Sequence, residues 1–395
     1  MSLLLAISIS ASTQITVPKF GKGLQIHAQD SSFYMKIGFR FQTLFQNSWN
    51  LEDDNLSSLS DHESAFFIRR SRLKFDGWAV SPKLKYKAEL SLSNRDNGGG
   101  NSSRFSNAAN IILDAAVEWN FYNNMSIWVG QGKLPGNRER IISSGNLQFV
   151  DRSRLNSRYT LDRDVGIMLK NHTNLGGDFI LKQIIAISSG EGKNITSGNI
   201  GGYAYTFKLE AYPFGNFASK GDYVGSDTKF EPTPKLAFAV AYDTNQNAGR
   251  ERGQKGSFFT DGNENPFGKD INSFFIDLMF KYNGLSIMAE YAHRQTGDGD
   301  PFIINNAGET IGEYYTGSGT NFAIGKMLSK TFEVSGRWTN IKPDEGVASP
   351  ENQYTLGLSK YIVGHKLKVQ TDVTYREIET SEDDLIYRIQ MDIHF

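Results

Sequence analysis

The chain has 395 residues, 39% hydrophobic and 22% charged, with 39 Gly, 10 Pro, no Cys and an aromatic share of 12% led by 27 Phe and 17 Tyr. A mean hydropathy of -0.42, with no apolar run of the ~18 residues that a spanning helix needs, excludes a helical membrane protein. A formal net charge of -1 excludes a globally basic nucleic-acid binder, and the missing cysteines exclude thiolate metal sites, disulfide scaffolds and Cys nucleophiles.

At the N-terminus, apolar residues from Leu3 to Ile9 precede the small residues Ser10, Ala11 and Ser12, the pattern of a signal-peptidase cut. Residues 1–14 therefore read as a signal-peptide remnant, although no Lys or Arg precedes Lys19. Residues 15–32 read as an N-terminal lead-in. From Phe33 a two-residue period begins: Phe33, Met35, Ile37, Phe39, Phe41 and Phe45 fall on one face, and Tyr34, Lys36, Gly38, Arg40, Gln42 and Gln46 on the other. Sixteen such segments are predicted, at 33–47, 65–80, 83–93, 109–121, 124–133, 161–171, 177–189, 200–212, 234–244, 271–283, 284–295, 320–330, 331–341, 352–362, 365–377 and 384–395.

The connections carry more information than the strands. Those after the second, fourth, sixth, tenth, twelfth and fourteenth segments are short, with turn residues such as Ser81-Pro82, Asn123-Asn124, Asn283-Gly284 and Gly364-His365. Those after the odd segments are mostly long and polar, at 48–64, 94–108, 134–160, 245–270 and 296–319; the misfit is 213–233, long where a short turn is due. A soluble sandwich or solenoid has no reason to segregate turns and loops to opposite ends, whereas an outer-membrane barrel does. Residues 33–395 are therefore expected to form one all-β domain, a transmembrane antiparallel up-and-down β-barrel of sixteen strands with short periplasmic turns and long extracellular loops. The lead-in 15–32 would be periplasmic, and Phe395, closing the alternating strand YRIQMDIHF, would serve as an assembly signal.

The sequence resembles the phosphate-selective porins O and P, a family of outer-membrane channels. The resemblance lies in FGKGLQIHAQDSSFYMKIGFRFQ at 20–42, FFIRRSRLKFDGW at 66–78, IWVGQGKLPGNRE at 127–139, DVGIML at 164–169, EAYPFG at 210–215 and AEYAHR at 289–294. It implies a sixteen-stranded, trimeric, water-filled channel with basic residues inside that favours anions.

Alternation assigns the charges to a face. If Leu73, Phe75 and Ala79 meet lipid, then Arg70, Arg72, Lys74 and Asp76 face the lumen, with Lys36 and Arg40 on the first strand and Lys83, Lys85, Lys87 and Glu89 on the third. Between 65 and 93 seven Lys or Arg stand against two acids, a local charge of +5 in an otherwise neutral chain. Such a wall would draw anions into the pore. Alternatively, its cations pair with lumen acids such as Asp114, Glu118, Asp277, Glu290 or Glu333. The third long loop, 134–160, is the expected inward-folding constriction, and residues 133–163 carry a net charge of +4. Lys133, Arg138, Arg140, Arg152 and Arg154 are its candidate anion-binding residues, with lipopolysaccharide phosphates or a neighbouring subunit as the alternative contact.

Other constellations are weak. Asp261, Asn263 and Asn265 begin like a calcium loop, but Pro266 stands where Gly is needed. The Gly-rich run Asn97 to Asn101 lacks the Lys of a P-loop, and the six His have no metal-ligand spacing. Catalysis would need a Ser and His brought together across the barrel, such as Ser286 with His293. The expected function is passive diffusion of small, phosphate-like anions with no cofactor, no metal and no enzymatic step. Its expected partners are outer-membrane lipid, lipopolysaccharide, the barrel-assembly machinery of a Gram-negative cell and two further copies of the chain, with no nucleic acid. A general porin without strong anion preference, and a structural or adhesive barrel with a blocked lumen, are the alternatives.

Overall fold

Side chains that alternate between apolar and polar give each segment one face for hydrocarbon and one for water, and backbone groups in hydrocarbon must all be paired. A closed sheet satisfies both demands. The computed structural model describes residues 13–16, 19–52, 57–97, 110–196, 200–261, 263 and 265–395. Two short strands come first, β1 (Thr13–Thr16) and β2 (Leu24–Ala28). The barrel then runs through β3 (Phe33–Leu51), β4 (Leu59–Ala79), β5 (Ser81–Ser91), β6 (Ile112–Tyr122), β7 (Met125–Lys133), β8 (Arg163–Gly176), β9 (Phe179–Ser188), β10 (Ala204–Tyr212), β11 (Lys235–Ala248), β12 (Lys269–Tyr282) and β13 (Leu285–Thr296). A small hairpin, β14 (Phe302–Ile304) with β15 (Thr310–Glu313), decorates the next connection. The barrel resumes with β16 (Gly317–Ser329), β17 (Phe332–Pro343), β18 (Glu351–Tyr361), β19 (Leu367–Ile378) and β20 (Asp384–His394). Each barrel strand pairs antiparallel with the next, and β20 closes on β3 from Asp384↔Asn50 to His394↔Arg40, which makes sixteen strands in all. All sixteen predicted segments are strands. No helix among the described residues is long and apolar enough to cross a membrane.

At the turn end, Asn283 and Gly284 both have positive φ, 47° and 80°, as a two-residue hairpin requires. The first turn lies at Val80 rather than at Ser81-Pro82, because β5 already begins at Ser81. The lead-in is more structured than expected. β3 extends past the end of β20, and β2 pairs with that overhang from Leu24↔Ile37 to His27↔Tyr34, while β1 pairs with β2. Unpaired strand edge explains this: the amide and carbonyl groups of 34–37 need partners that β20 is too short to supply. Of the signal-peptide reading, 1–14, residues 1–12 lie outside the described residues and Thr13 and Gln14 open β1; of the Gly-rich run Asn97 to Asn101, residues 98–101 lie outside them too. Phe395 donates its backbone N–H to Phe39 O at 2.8 Å, and its ring sits 5.9 Å from Phe20, 6.4 Å from Phe39 and 6.5 Å from Phe41. The last residue thus joins the seam between the first and last barrel strands to the lead-in.

The outer surface follows the predicted parity with one informative exception. Phe66 and Ile68 are exposed on the outside of β4, but further along it is Leu73 and Phe75 that share the outer face. The parity changes because Gln42 pairs with Arg70 and Thr43 with Ile68, leaving Arg69 as an extra residue in a bulge. Arg69 and Arg70 are consequently both turned inward, where plain alternation sends Arg69 to lipid.

Candidate functional site

The connection 134–162 packs against the inner wall of the barrel. Apolar contacts hold one side of it. Leu155, Tyr159 and Leu161 bury themselves with Met168, Ala241, Phe275 and Ile341 of the inner wall, and Ile142, Leu147 and Phe149 with Met279, Met288 and Ala323. Two short helices, α1 (Arg138–Ile141) and α2 (Arg154–Arg158), shape the loop; Ser153 caps α2 by accepting the Asn156 N–H. Polar contacts complete the anchoring. Gln148 donates to Ser286 at 2.9 Å and to Glu333 at 2.8 Å, Val150 N–H donates to Asp372 at 3.1 Å, and Lys368 Nζ donates to Leu147 O at 2.9 Å.

Above the loop lies a cavity of about 1140 Å³. Its described lining includes eleven arginines and three lysines against four carboxylates, Asp96, Asp151, Asp162 and Glu251. Three elements build it. The first is the barrel wall of β4, with Arg69, Arg70 and Arg72. The second is the third loop, with Arg140, Arg152 and Arg154. The third is the connection after β11, with Arg250, Arg252 and Lys255, which also folds inward: Arg252 donates to Ser157 O at 3.0 Å and Tyr315 N–H to Glu251 O at 2.9 Å.

The candidate residues divide by location. Arg70, Arg72, Lys133, Arg140, Arg152 and Arg154 line this cavity together. Arg70 holds Asp151 at 2.9 Å, and Arg72 bridges Glu89 at 2.9 Å and Asp96 at 2.7 Å. Arg140 pairs with Asp162, and Arg154 grips Glu351 with two hydrogen bonds of 2.8 and 2.7 Å. Lys133 donates to the carbonyls of Arg140, Ile141 and Ile142 at the end of α1. Arg152 donates to the carbonyls of Glu139 and Ile142.

Arg138 lies elsewhere. It is fully buried behind the loop, 2.7 Å from Asp277 and 3.6 Å from Glu210; burial alone would lower its pKa, but those acids outweigh it and hold it well above the usual arginine value. It is an anchor of the loop, not part of the cavity. Arg40 is likewise engaged, with two hydrogen bonds to Asp392 and one to Ser144 of the loop. Lys74 pairs with Asp76, and Lys87 with Asp114 and Glu89. Lys36 stands opposite Asp76 in register and Lys85 opposite Glu118, both outside the cavity lining. Of the proposed partner acids, Asp114 also meets Arg163 at 2.6 Å, Glu118 meets Lys170 at 2.6 Å, Glu290 accepts the Glu139 N–H, and Glu333 accepts from Gln148, Ser226 and Tyr361. Pairing with acids is thus the rule along the walls. Lys133 and Arg152, whose hydrogen bonds go to backbone carbonyls, line the cavity.

Outside the spanning strands, the charges shift as that crowding requires. Burial raises the pKa of Asp151, but Arg69, Arg70 and Arg388 outweigh it and hold the carboxylate well below 3.8. Burial and then Arg140 and Arg70 push the pKa of Arg152 well below the usual arginine value. Enclosure pushes Lys255 down to about 7; Asp162, 4.0 Å away, opposes this, and Arg140, Arg252 and Arg152 reinforce it.

Residues 36–211 match the family described as phosphate-selective porin O and P. Over this stretch the chain is similar to that family. This porin is an outer-membrane channel protein of bacteria, and its fold has solved counterparts that are themselves porins. OmpF of Salmonella typhi, solved in complex with daunomycin, superposes with a TM-score of 0.56 at 13% identity over 94% of this chain and 100% of that one. The outer-membrane channel DcaP of Acinetobacter baumannii gives 0.52 at 11% identity over 91% and 97%. A curated relative from Aquifex aeolicus (strain VF5), described as an uncharacterized protein, is 22% identical over 372 residues, 87% of this chain and 83% of that one.

Several lining residues of the porin escape sequence reasoning. Arg69 is turned inward by a bulge that parity alone hides. Arg163, Lys193, Arg250, Arg252, Lys255 and Arg388 come from distant parts of the chain. A cluster of basic residues at 250–255 is visible in the sequence, but nothing local marks that connection as inward-folding. Ser286 and His293 share β13 with opposite parity, so the proposed catalytic pair points to opposite faces of the wall. The Asp261 carboxylate closes its own loop, accepting from Asn263 N–H and Asn265 N–H.

Proposed function

We propose that this porin passes small anions, phosphate-like in charge and size, by passive diffusion, and that the cationic cavity concentrates them at the mouth of the constriction. The observation that carries this reading is that fourteen cationic side chains against four carboxylates line one cavity. A wall of one sign in a low-dielectric surround focuses the field and raises the local anion concentration, and many weak sites allow an ion to leave again. Arginine suits the task because its planar fork stays charged and meets oxyanions with paired hydrogen bonds. The constriction is the third loop, with Arg140, Arg152 and Arg154 facing the basic wall of Arg69, Arg70 and Arg72. No cofactor or catalytic step enters this mechanism.

A general porin with weak ion preference is the second reading. It is favoured by the neutralising pairs Arg40–Asp392, Arg138–Asp277 and Arg154–Glu351. Reversal potential across a planar bilayer under a KCl gradient separates the two: the expected sign is that of chloride preference, and a potential at zero or of cation sign leaves the general porin. Assembly as a homotrimer is part of the proposal, as in OmpT of Vibrio cholerae, which is described in a trimer form. So are lipopolysaccharide around the extracellular loops and recognition of the Phe395 strand by the barrel-assembly machinery.

The position of Lys255 gives this reading a pH dependence. Its ammonium form is present below about 7 and lost above it. Anion preference is therefore expected to be greater at pH 6 than at pH 8, with the difference removed in Lys255→Met. A pH-independent reversal potential in the unaltered protein would assign Lys255 no part in selectivity.

A further inference from the structure

Among the described turn-end connections, 213–234 between β10 and β11 departs from the short-turn pattern, and it turns into the barrel. Lys281 of β12 donates to the carbonyls of Val224 and Ser226, each at 2.8 Å, and Ser226 Oγ donates to Glu333 of β17 at 2.7 Å. Asp227 accepts the Gly284 N–H at 2.7 Å. Ser219 and Lys220 hold consecutive left-handed conformations, φ 55° and 58°, each costing about 1 kcal/mol, a strain that persists only where surrounding contacts impose it.

The far side of this segment meets the third loop. Gly225 donates its N–H to Asn146 O at 2.8 Å, and Arg138 donates to Asp222 O at 3.3 Å while lying 5.5 Å over the Tyr223 ring. Phe217 joins the apolar cluster of Ile142, Leu147 and Phe149. The fit leaves no space, since a Cβ on Gly225 would stand 2.7 Å from the Gln148 backbone nitrogen. The loop's central stretch, 146–148, is thus held from the turn side by a second inward-folded segment.

We propose that the 213–234 segment is a brace that positions the third loop and so sets the width of the conducting path. The brace is independent of ion preference: it fixes where the loop stands, whatever ion passes. A segment attached only to the wall would leave the path unchanged when altered.

The test is single-channel conductance of the full-length protein, with heat-modifiable mobility as the check of folding. Replacing 214–233 by Asn-Gly is expected to raise conductance by about twofold or more, as a freed loop widens the path. Gly225→Ala keeps the segment but forces Gln148 to move, and it is expected to change conductance by about twofold with the barrel intact. Wild-type conductance in folded Gly225→Ala protein, or in the folded shortened protein, overturns the brace. The alanine variant decides alone if the shortened chain fails to fold. A non-selective wild-type channel would refute the anion reading and leave this test standing.

Discussion

Arg138→Met is expected to destabilise the folded porin by about 3 kcal/mol, because removing one partner of a buried ionic cluster leaves charge uncompensated in a low-dielectric site. Arg138 is fully buried between Asp277 at 2.7 Å and Glu210 at 3.6 Å. Lys208 lies 3.4 Å from Asp277 and 3.3 Å from Glu210, and its remaining charge keeps the loss at the lower end of the range for such clusters. The measurement is the temperature at which the compact, heat-modifiable band is lost, expected to fall, together with conductance, expected to rise as the loop loses its anchor. Arg138→Lys retains the charge with shorter reach and is expected to fall between. Unchanged heat stability in Arg138→Met would mean that the apolar contacts of Leu155, Tyr159 and Leu161 suffice to hold the loop.

The largest effect on transport is expected from the cations that no carboxylate holds. Arg152, Lys193, Arg252 and Lys255 all line the cavity; Arg152 and Arg252 donate to backbone carbonyls, while Arg252 stands 3.9 Å from Glu251 and Lys255 4.0 Å from Asp162. At pH 6, where Lys255 carries its proton, changing all four to Gln removes four positive charges while leaving the paired wall arginines in place. The anion-to-cation permeability ratio is expected to fall about tenfold at 0.01 M salt, where the Debye length is about 30 Å, and by less at 1 M. The outward pair Leu73→Ala and Phe75→Ala is the control. It removes lipid-facing apolar surface and is expected to lower stability without moving the reversal potential. An unchanged ratio in folded quadruple variant would return these side chains to a structural role and leave the general porin.

The barrel was legible in the sequence because its physics is local. Hydrocarbon on one face and water on the other impose a two-residue period on every strand, so Phe33 to Gln46 and Leu385 to Phe395 reveal their faces without reference to any partner. The segregation of turns and loops follows from the same membrane, which also fixes the inward direction of Arg70 and Arg72.

Tertiary structure alone decided what each inward charge does. Arg138 and Arg140 are two residues apart on one short helix, yet one is sealed against Asp277 and the other lines the cavity, since a loop's orientation depends on contacts 139 residues away. Arg69 faces inward because a single extra residue reverses strand parity, and Arg250 and Arg252 reach the cavity because their connection packs on the third loop. The 213–234 segment looked like an irregular turn, and only its hydrogen bonds to Lys281, Glu333 and Asn146 make it a part of the lumen. Period and composition carry the direction of a side chain relative to its own strand. They do not carry which distant group stands opposite, and in a barrel the sum of those pairings determines which charges remain for a permeating ion.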